Sequence, residues 1–388
     1  MKIPFHRPLF PNETIDNIEE VLSSGWVTTG KITHLFENKL CEYLEAKYVI
    51  AVNSCTSALH LGAIISGLSK KEKFIVPTYT FVSSVEIGEY IGAEPLLVDV
   101  DQKTMNLDLN QVENYLKKYG KRIKTIVPVH LAGNPVKMNE LRNLSNEYGC
   151  FLLEDSAHAM EAIDDGKKIG NTEDAATFSF YANKNITTGG EGGAIATNNA
   201  SLAEKLKKLS LHGMNKDGWS RYSNAGKWSY DISLLGYKYN LTDIASKIGL
   251  IQLQNIKSWH NKREIIAKKY DKGFSAIKGI KLPPKQGKNS RHARHLYIIQ
   301  INKKYWSIDR NQIIIELNKK GIGTSVHYLP IHMHSYYQKK YGFKPNDYPQ
   351  SKGLFEAAIS LPIYPDLNNN EILHIIDSIK ELWNKYSI

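Results

Sequence analysis

Arginine is scarce in this chain: of 50 basic residues among 388, only eight are arginine and 42 are lysine. Base edges and phosphates are read preferentially by the arginine fork, so the net charge of +11 does not by itself indicate a nucleic-acid binder. The lysines are spread through helical-looking stretches (Lys117, Lys118, Lys121; Lys262, Lys268, Lys269), commonly beside acids. They read as a solvated surface whose modest positive field draws in anionic small substrates. Cysteine is scarcer still. Cys41, Cys55 and Cys150 show none of the close pairings of zinc or redox motifs, so they are given packing roles and no metal site is expected. Long apolar runs are missing too. The stretch 59–65, broken by His60 and Gly62, falls far short of the roughly 18–20 residues that span a bilayer, and no membrane partner is expected. The first ten residues carry Lys2, His6 and Arg7 without an apolar region behind them; they do not read as a secretory signal, and the cytoplasm is the expected compartment. Repeats and low-complexity tracts are absent, which leaves solenoid and linker readings without support.

What is present is enough apolar material, 42%, for a substantial core in one large two-part enzyme or two ordinary domains. From about residue 48 to 200, short β-branched runs alternate with longer amphipathic segments, the pattern of βαβ units around a mainly parallel sheet. The spacing predicts strands at 48–52, 74–76, 95–100, 125–129, 150–154, 176–180 and 194–197. Helices are predicted at 57–66, 109–118 and 138–148. The Gly-, Asn- and Trp-rich passage 212–235 reads as loops. A long, bent helical passage is expected over 242–269. It is followed by a strand at 295–301, a helix at 310–319 capped by Asp309, and a closing helix at 370–385. The expected fold class is α/β: a mainly parallel sheet sandwiched by helices over residues 13–250, with a smaller α+β domain over 251–388 onto which residues 1–12 pack.

Three stretches carry chemistry. Asp155 follows the apolar run 150–153, which places it at the carboxyl end of a buried strand, where ligands of open α/β sheets bind. A carboxylate there needs a cationic partner, or else it caps a helix. Lys184 stands between the apolar strand ending near Phe180 and a glycine-rich turn, Gly189, Gly190, Glu191, Gly192, Gly193; partial burial there would lower its pKa and make it a Schiff-base nucleophile. Asn53, Ser54, Cys55, Thr56 and Ser57 follow a strand and open a helix, offering hydroxyls and free N–H groups to a phosphate, or simply capping the helix. Phe81, after Pro77-Thr78-Tyr79-Thr80, could lie against a heteroaromatic ring or belong to the core.

In combination the chain resembles the fold-type-I aminotransferases of the DegT/StrS group, nearly end to end. The matching pieces are Ser24 to Gly30, Asn53 to Leu59, Pro77 to Phe81, Glu154 to Ala159, Phe178 to Gly193, Gly236 to Asp243, and Gly321 to Thr324 with His327. The resemblance implies pyridoxal 5′-phosphate (PLP) as cofactor and Lys184 as the Schiff-base lysine and proton shuttle. Asp155 would hold the pyridine nitrogen protonated, His158 would contact the phenolic oxygen, and Phe81 would stack on the ring. Thr56, Ser57 and Ser179 would hold the phosphate, joined by Asn240 of a second subunit in a homodimer with shared sites. Trp26, Thr28, Thr29, His327 and Tyr328 would meet a nucleotide-linked keto sugar. The implied reaction is amination at C4 of a 4-keto-6-deoxy sugar with L-glutamate as donor, serving glycan, polysaccharide or lipopolysaccharide synthesis. Glu191 falls seven residues after Lys184, where some relatives have six, so the sugar stays open, and C3 amination is the alternative. A PLP-binding regulator that senses a sugar nucleotide is a competitor from another class, disfavoured by the intact Lys184 and Asp155.

Overall fold

The computed structural model describes residues 1–214 and 231–388. Helices α1 (Thr14–Ser23) and α2 (Lys31–Leu44) precede an alternation of β1 (Tyr48–Val52), α3 (Cys55–Ile65), β2 (Lys73–Pro77), α4 (Ser83–Ile91), β3 (Glu94–Val98), α5 (Leu109–Tyr119), β4 (Ile123–Ile126), α6 (Met138–Tyr148) and β5 (Phe151–Asp155). A two-stranded ribbon, β6 (Ile163–Asp164) and β7 (Lys167–Lys168), leads to β8 (Ala175–Ser179), β9 (Gly193–Thr197) and α7 (Ala200–Ser210). Local chemistry sets the boundaries. The side chains of Ser54 and Asp108 cap α3 and α5, and Gly149, in the left-handed conformation, ends α6.

Seven strands form one sheet in the order β1-β9-β8-β5-β4-β2-β3. Strands β8, β5, β4, β2 and β3 are parallel neighbours, and β9 runs antiparallel to both β1 and β8. Six strands therefore point the same way. They are apolar on both faces, with Phe74, Ile75, Val76, Leu152 and Leu153 fully buried, because helices cover the sheet on both sides. The carboxyl ends of β1, β2, β5 and β8 consequently lie at one edge, and the loops that follow them make the site.

Helix α8 (Asp243–Phe274) is one continuous element of 32 residues, about 48 Å long by helical rise. Its first half packs Leu250, Leu253, Ile256 and Trp259 into the core of the large sheet; its second half packs Ile266, Tyr270 and Phe274 into a second core. That core surrounds an antiparallel sheet of β10 (Ile280–Lys281), β11 (Tyr297–Ile301) and β12 (Ala358–Leu361), with α9 (Arg310–Lys319), α10 (Ser335–Tyr341), α11 (Pro349–Ala357) and α12 (Asn369–Tyr386) in the same stretch of chain. Ile3 belongs to it as well, bridging Gly321 and Gly323 through backbone hydrogen bonds of 2.8 Å. Most of the passage 212–235 lies outside the described residues; 212–214 and 231–235 are described, joined by a bridge between Met214 and Ile232. Among the described residues no helix is long and apolar enough to cross a membrane.

Candidate active site

A cavity of about 470 Å³ opens at the carboxyl ends of β1, β2, β5 and β8. Eight of the residues singled out in the sequence line it: Thr56, Phe81, Asp155, His158, Ser179, Lys184, His327 and Tyr328. Their separation in sequence is large, and the parallel topology is what gathers them.

Asp155 ends β5 and is 4% exposed. Its Oδ2 accepts from Ser84 Oγ at 2.6 Å and its Oδ1 from the Ala157 amide at 3.1 Å. An ionised carboxylate only accepts, so Ser84 spends its proton on Asp155 and must itself accept from Thr80 Oγ1, 2.8 Å away. This relay fixes the carboxylate from behind and leaves acceptor capacity facing the cavity. Ser84 was not found from the sequence; it lies 71 positions from Asp155 and looks like any small residue on an amphipathic helix.

Lys184 follows β8, its amide bonded to the Tyr181 carbonyl at 3.0 Å. Burial pushes its amine down from 10.5 to about 8, with Cys55 and Asp155 pulling the other way. A fraction of the amine is therefore neutral near physiological pH, as a nucleophile requires. The neighbouring Asn185 anchors the loop to the segment before β11, donating to the Ala293 carbonyl at 2.8 Å and meeting His295 Nδ1 at 3.1 Å. The glycine turn also has a steric role. A Cβ on Gly193 would stand 2.5 Å from the Ser54 carbonyl carbon and 2.6 Å from the Cys55 nitrogen, so only glycine lets β9 close against the start of α3.

At that helix start the Ser54 hydroxyl accepts from the Ser57 amide at 3.1 Å, leaving the Cys55 and Thr56 amides as first-turn donors without a partner among the described residues. Ser57 differs from Thr56: it is buried, and its hydroxyl is bonded to Asn53 Oδ1 (2.6 Å) and Ser54 Oγ (2.9 Å), so it shapes the helix start and does not line the cavity. Phe81 is 55% exposed at the mouth, its ring 5.8 Å from that of Tyr328. The strap carrying His327 and Tyr328 is fastened by residues the sequence reading left as flanking motif: Tyr79 donates to the His327 carbonyl, and Thr78 Oγ1 meets His332 Nδ1 at 2.8 Å. His327 Nδ1 meets Ser360 Oγ at 2.8 Å; burial and Lys184 hold its imidazole down to about 4.

Four expected residues lie elsewhere. Thr29 and Asn240 line a second cavity of about 230 Å³ with His34, Lys207, Lys208 and Met214. Asn240 Nδ2 donates to Thr29 Oγ1 at 2.7 Å, and Lys238 Nζ donates to Asn240 Oδ1 at 2.5 Å. Thr28 offers its carbonyl to the Asp243 amide at 3.2 Å, and Trp26, 40% exposed, donates its indole N–H to the Thr29 carbonyl at 3.1 Å. Asp243 holds this loop, accepting from the Gly30 amide (2.7 Å) and from Thr33 Oγ1 (2.6 Å).

An α/β sheet with a half-buried lysine, a braced carboxylate and a helix N-terminus around one cavity has the arrangement of a fold-type-I PLP enzyme. The chain belongs to the DegT/DnrJ/EryC1/StrS aminotransferase family, whose profile matches residues 9–380. It is 40% identical over 380 residues to the uncharacterized protein MJ1066 of Methanocaldococcus jannaschii, and 37% identical over 381 residues to the spore coat polysaccharide biosynthesis protein SpsC of Bacillus subtilis; each match covers 98% of this chain and 97% of the relative. Among solved structures, the putative sugar aminotransferase Spr1654 from Streptococcus pneumoniae in its PMP form superposes with a TM-score of 0.90 at 31% identity, covering 99% of this chain and 98% of that one; its PLP form gives 0.89. Family and neighbour together assign aminotransfer as the activity and PLP as the cofactor.

The residues present fit that group. The unpaired amides of α3 with the Thr56 and Ser179 hydroxyls suit a phosphate, and Gly193 keeps that cradle free of a side chain. The open acceptor capacity of Asp155 suits a pyridinium nitrogen, and Lys184 supplies the amine.

Proposed function

We propose that the protein transfers the amino group of L-glutamate to C4 of a nucleotide-linked 4-keto-6-deoxy sugar, for glycan or polysaccharide synthesis. One observation carries the reading: Lys184, Asp155 and the start of α3 face a single cavity at the strand ends. Bound PLP supplies the electron sink that makes a carbon next to nitrogen acidic. This chain's residues do the rest. Lys184, its amine lowered by burial to about 8, would take a proton from the reacting carbon and return one to the carbon that accepts it. Asp155, braced by Ser84 and Ala157, keeps the ring nitrogen protonated. Thr56 and Ser179 hold the phosphate, with Ser57 setting the geometry of the helix start, and Phe81 covers the ring. His327 and Tyr328 stand on the wall where the sugar enters. Asn240 reaches the phosphate of the partner protomer in a homodimer, and Trp26, Thr28 and Thr29 meet the sugar nucleotide. Support for the polysaccharide role comes from the resemblance to SpsC.

The test is incubation of the purified protein with PLP, glutamate and a panel of nucleotide-linked 4-keto and 3-keto sugars, with products identified by NMR. A 4-amino-6-deoxy product is expected. Amination only at C3 would replace the positional assignment, and the absence of any amino sugar across the panel would overturn the reading.

A further inference from the structure

Resting on the reading of this cavity as the PLP and sugar site, we infer that Tyr328 is its directed hydrogen-bond donor, aimed at an oxygen of the bound ligand, and that His158 is the positioning residue that sets this direction. The argument is one of proton inventory. His158 Nδ1 lies 3.2 Å from the Ala132 backbone nitrogen, whose N–H can only donate, so Nδ1 carries no proton. Burial, with Lys184, His327 and His292 nearby, holds the imidazole well below its usual range, so the ring is neutral and its single proton sits on Nε2. Nε2 stands 3.0 Å from the Tyr328 hydroxyl and therefore donates to it. The Tyr328 oxygen accepts that bond, and its own proton must point elsewhere. Burial and Asp155 keep the phenol un-ionised, so that proton stays in place. Among the described residues none is paired with it, and Tyr328 lines the cavity with Lys184 and Asp155.

Both nitrogens of His158 are thus engaged, by Ala132 behind and Tyr328 in front. His158 acts through Tyr328, whose O–H is the group that touches the ligand. The acceptor chemistry is an anionic or carbonyl oxygen, which the cofactor presents as its phenolic oxygen and a keto sugar as its carbonyl or hydroxyl. An adjoining feature supports a fixed direction: Tyr79 grips the preceding carbonyl, that of His327, so the strap that bears Tyr328 is anchored at the peptide before it.

The experiment has two parts. Histidine-selective ¹⁵N NMR of the full chain, with and without PLP, reads the tautomer of His158, assigned by the loss of its signal in His158→Leu. A bare Nδ1 and a protonated Nε2 from pH 6 to 8 are expected; a protonated Nδ1 overturns the proposal, whatever the enzyme's substrate proves to be. The second part compares Tyr328→Phe with wild type. If the acceptor is the cofactor's oxygen, the pH titration of the bound cofactor's absorbance moves by about one unit, the worth of one hydrogen bond. If it is the sugar's oxygen, that titration stays and KM for the keto sugar rises about tenfold with kcat retained. His158→Leu should copy Tyr328→Phe. His158→Gln, whose amide can accept from Ala132 and donate to Tyr328, should restore wild-type behaviour. Wild-type titration and KM together in a folded Tyr328→Phe, or His158→Gln failing like Leu, would overturn the assignment.

Discussion

Two cavities of this molecule, the one at Lys184 and the one at Asn240, differ in what lines them. Around Lys184 and Asp155 the carboxylate and Tyr328 are held by hydrogen bonds, and the walls come from four strand ends and the strap. Around Thr29 and Asn240 the polar groups are bonded mainly to one another. Their neighbourhood also shows apolar side chains to solvent: Trp26 at 40%, Val27 at 42%, Ile232 at 58% and Leu235 at 85% exposure. The first cavity gathers Lys184, Asp155 and the start of α3 from one chain. The second joins a few polar groups to exposed apolar side chains, the composition that the proposed contact with a partner protomer would use.

Mixing protomers breaks or sharpens that contrast most strongly. Lys184→Ala and Asn240→Asp should each be inactive, the first by about 10³-fold, the second because it sets a carboxylate against a phosphate. Mixed after verified subunit exchange, they should recover roughly a quarter of wild-type activity, since about half the dimers are mixed and one of their two sites collects neither defect. No recovery, or a fully active monomer, would leave the second cavity without a catalytic role. A smaller effect is confined to the first cavity. Asp155→Asn should keep the fold and retain bound PLP while turnover falls about 100-fold, as measured by single-turnover kinetics; near-normal turnover would remove Asp155 from the chemistry.

Much of the first cavity was legible in the sequence, and little of the second. Buried parallel strands are written as β-branched runs, so those at 48–52 and 194–197 were located to within a residue, and the helix at 138–148 matched at both ends. Asp155 and Lys184 each follow such a run, so their placement at strand ends could be read directly. The reversed direction of β9 left no trace, because pairing direction is decided by partners distant in sequence. Helices α1, α2, α4, α10 and α11 went unread, as did the bracing of Asp155 by Ser84 and of the strap by Thr78 and Tyr79. Such contacts join residues 71 to 254 positions apart and carry no local period. For Thr29 only the family resemblance pointed to a site, and for Asn240 the resemblance together with its place before the helix that begins near Thr242.

The smallest expected effect is thermodynamic. The folded pKa of Lys184 lies below its unfolded value of 10.5, at about 8, so the unfolded state binds more protons between those limits and stability rises with pH across that window. Below about pH 8 the buried amine costs the cofactor-free protein about 3 kcal/mol, from the size of the shift. Cofactor-free Lys184→Met should therefore unfold at higher denaturant than cofactor-free wild type at pH 7, with the gap closing toward pH 10.5. An equal or lower midpoint at pH 7 would show that the amine is not desolvated.

The identity of the lysine that carries the cofactor tests the central claim most directly. The protein purified with PLP is reduced with borohydride, digested, and its pyridoxyl peptides are mapped by mass spectrometry. A single labelled peptide containing Lys184 is predicted; a label on any other of the 42 lysines would contradict the account.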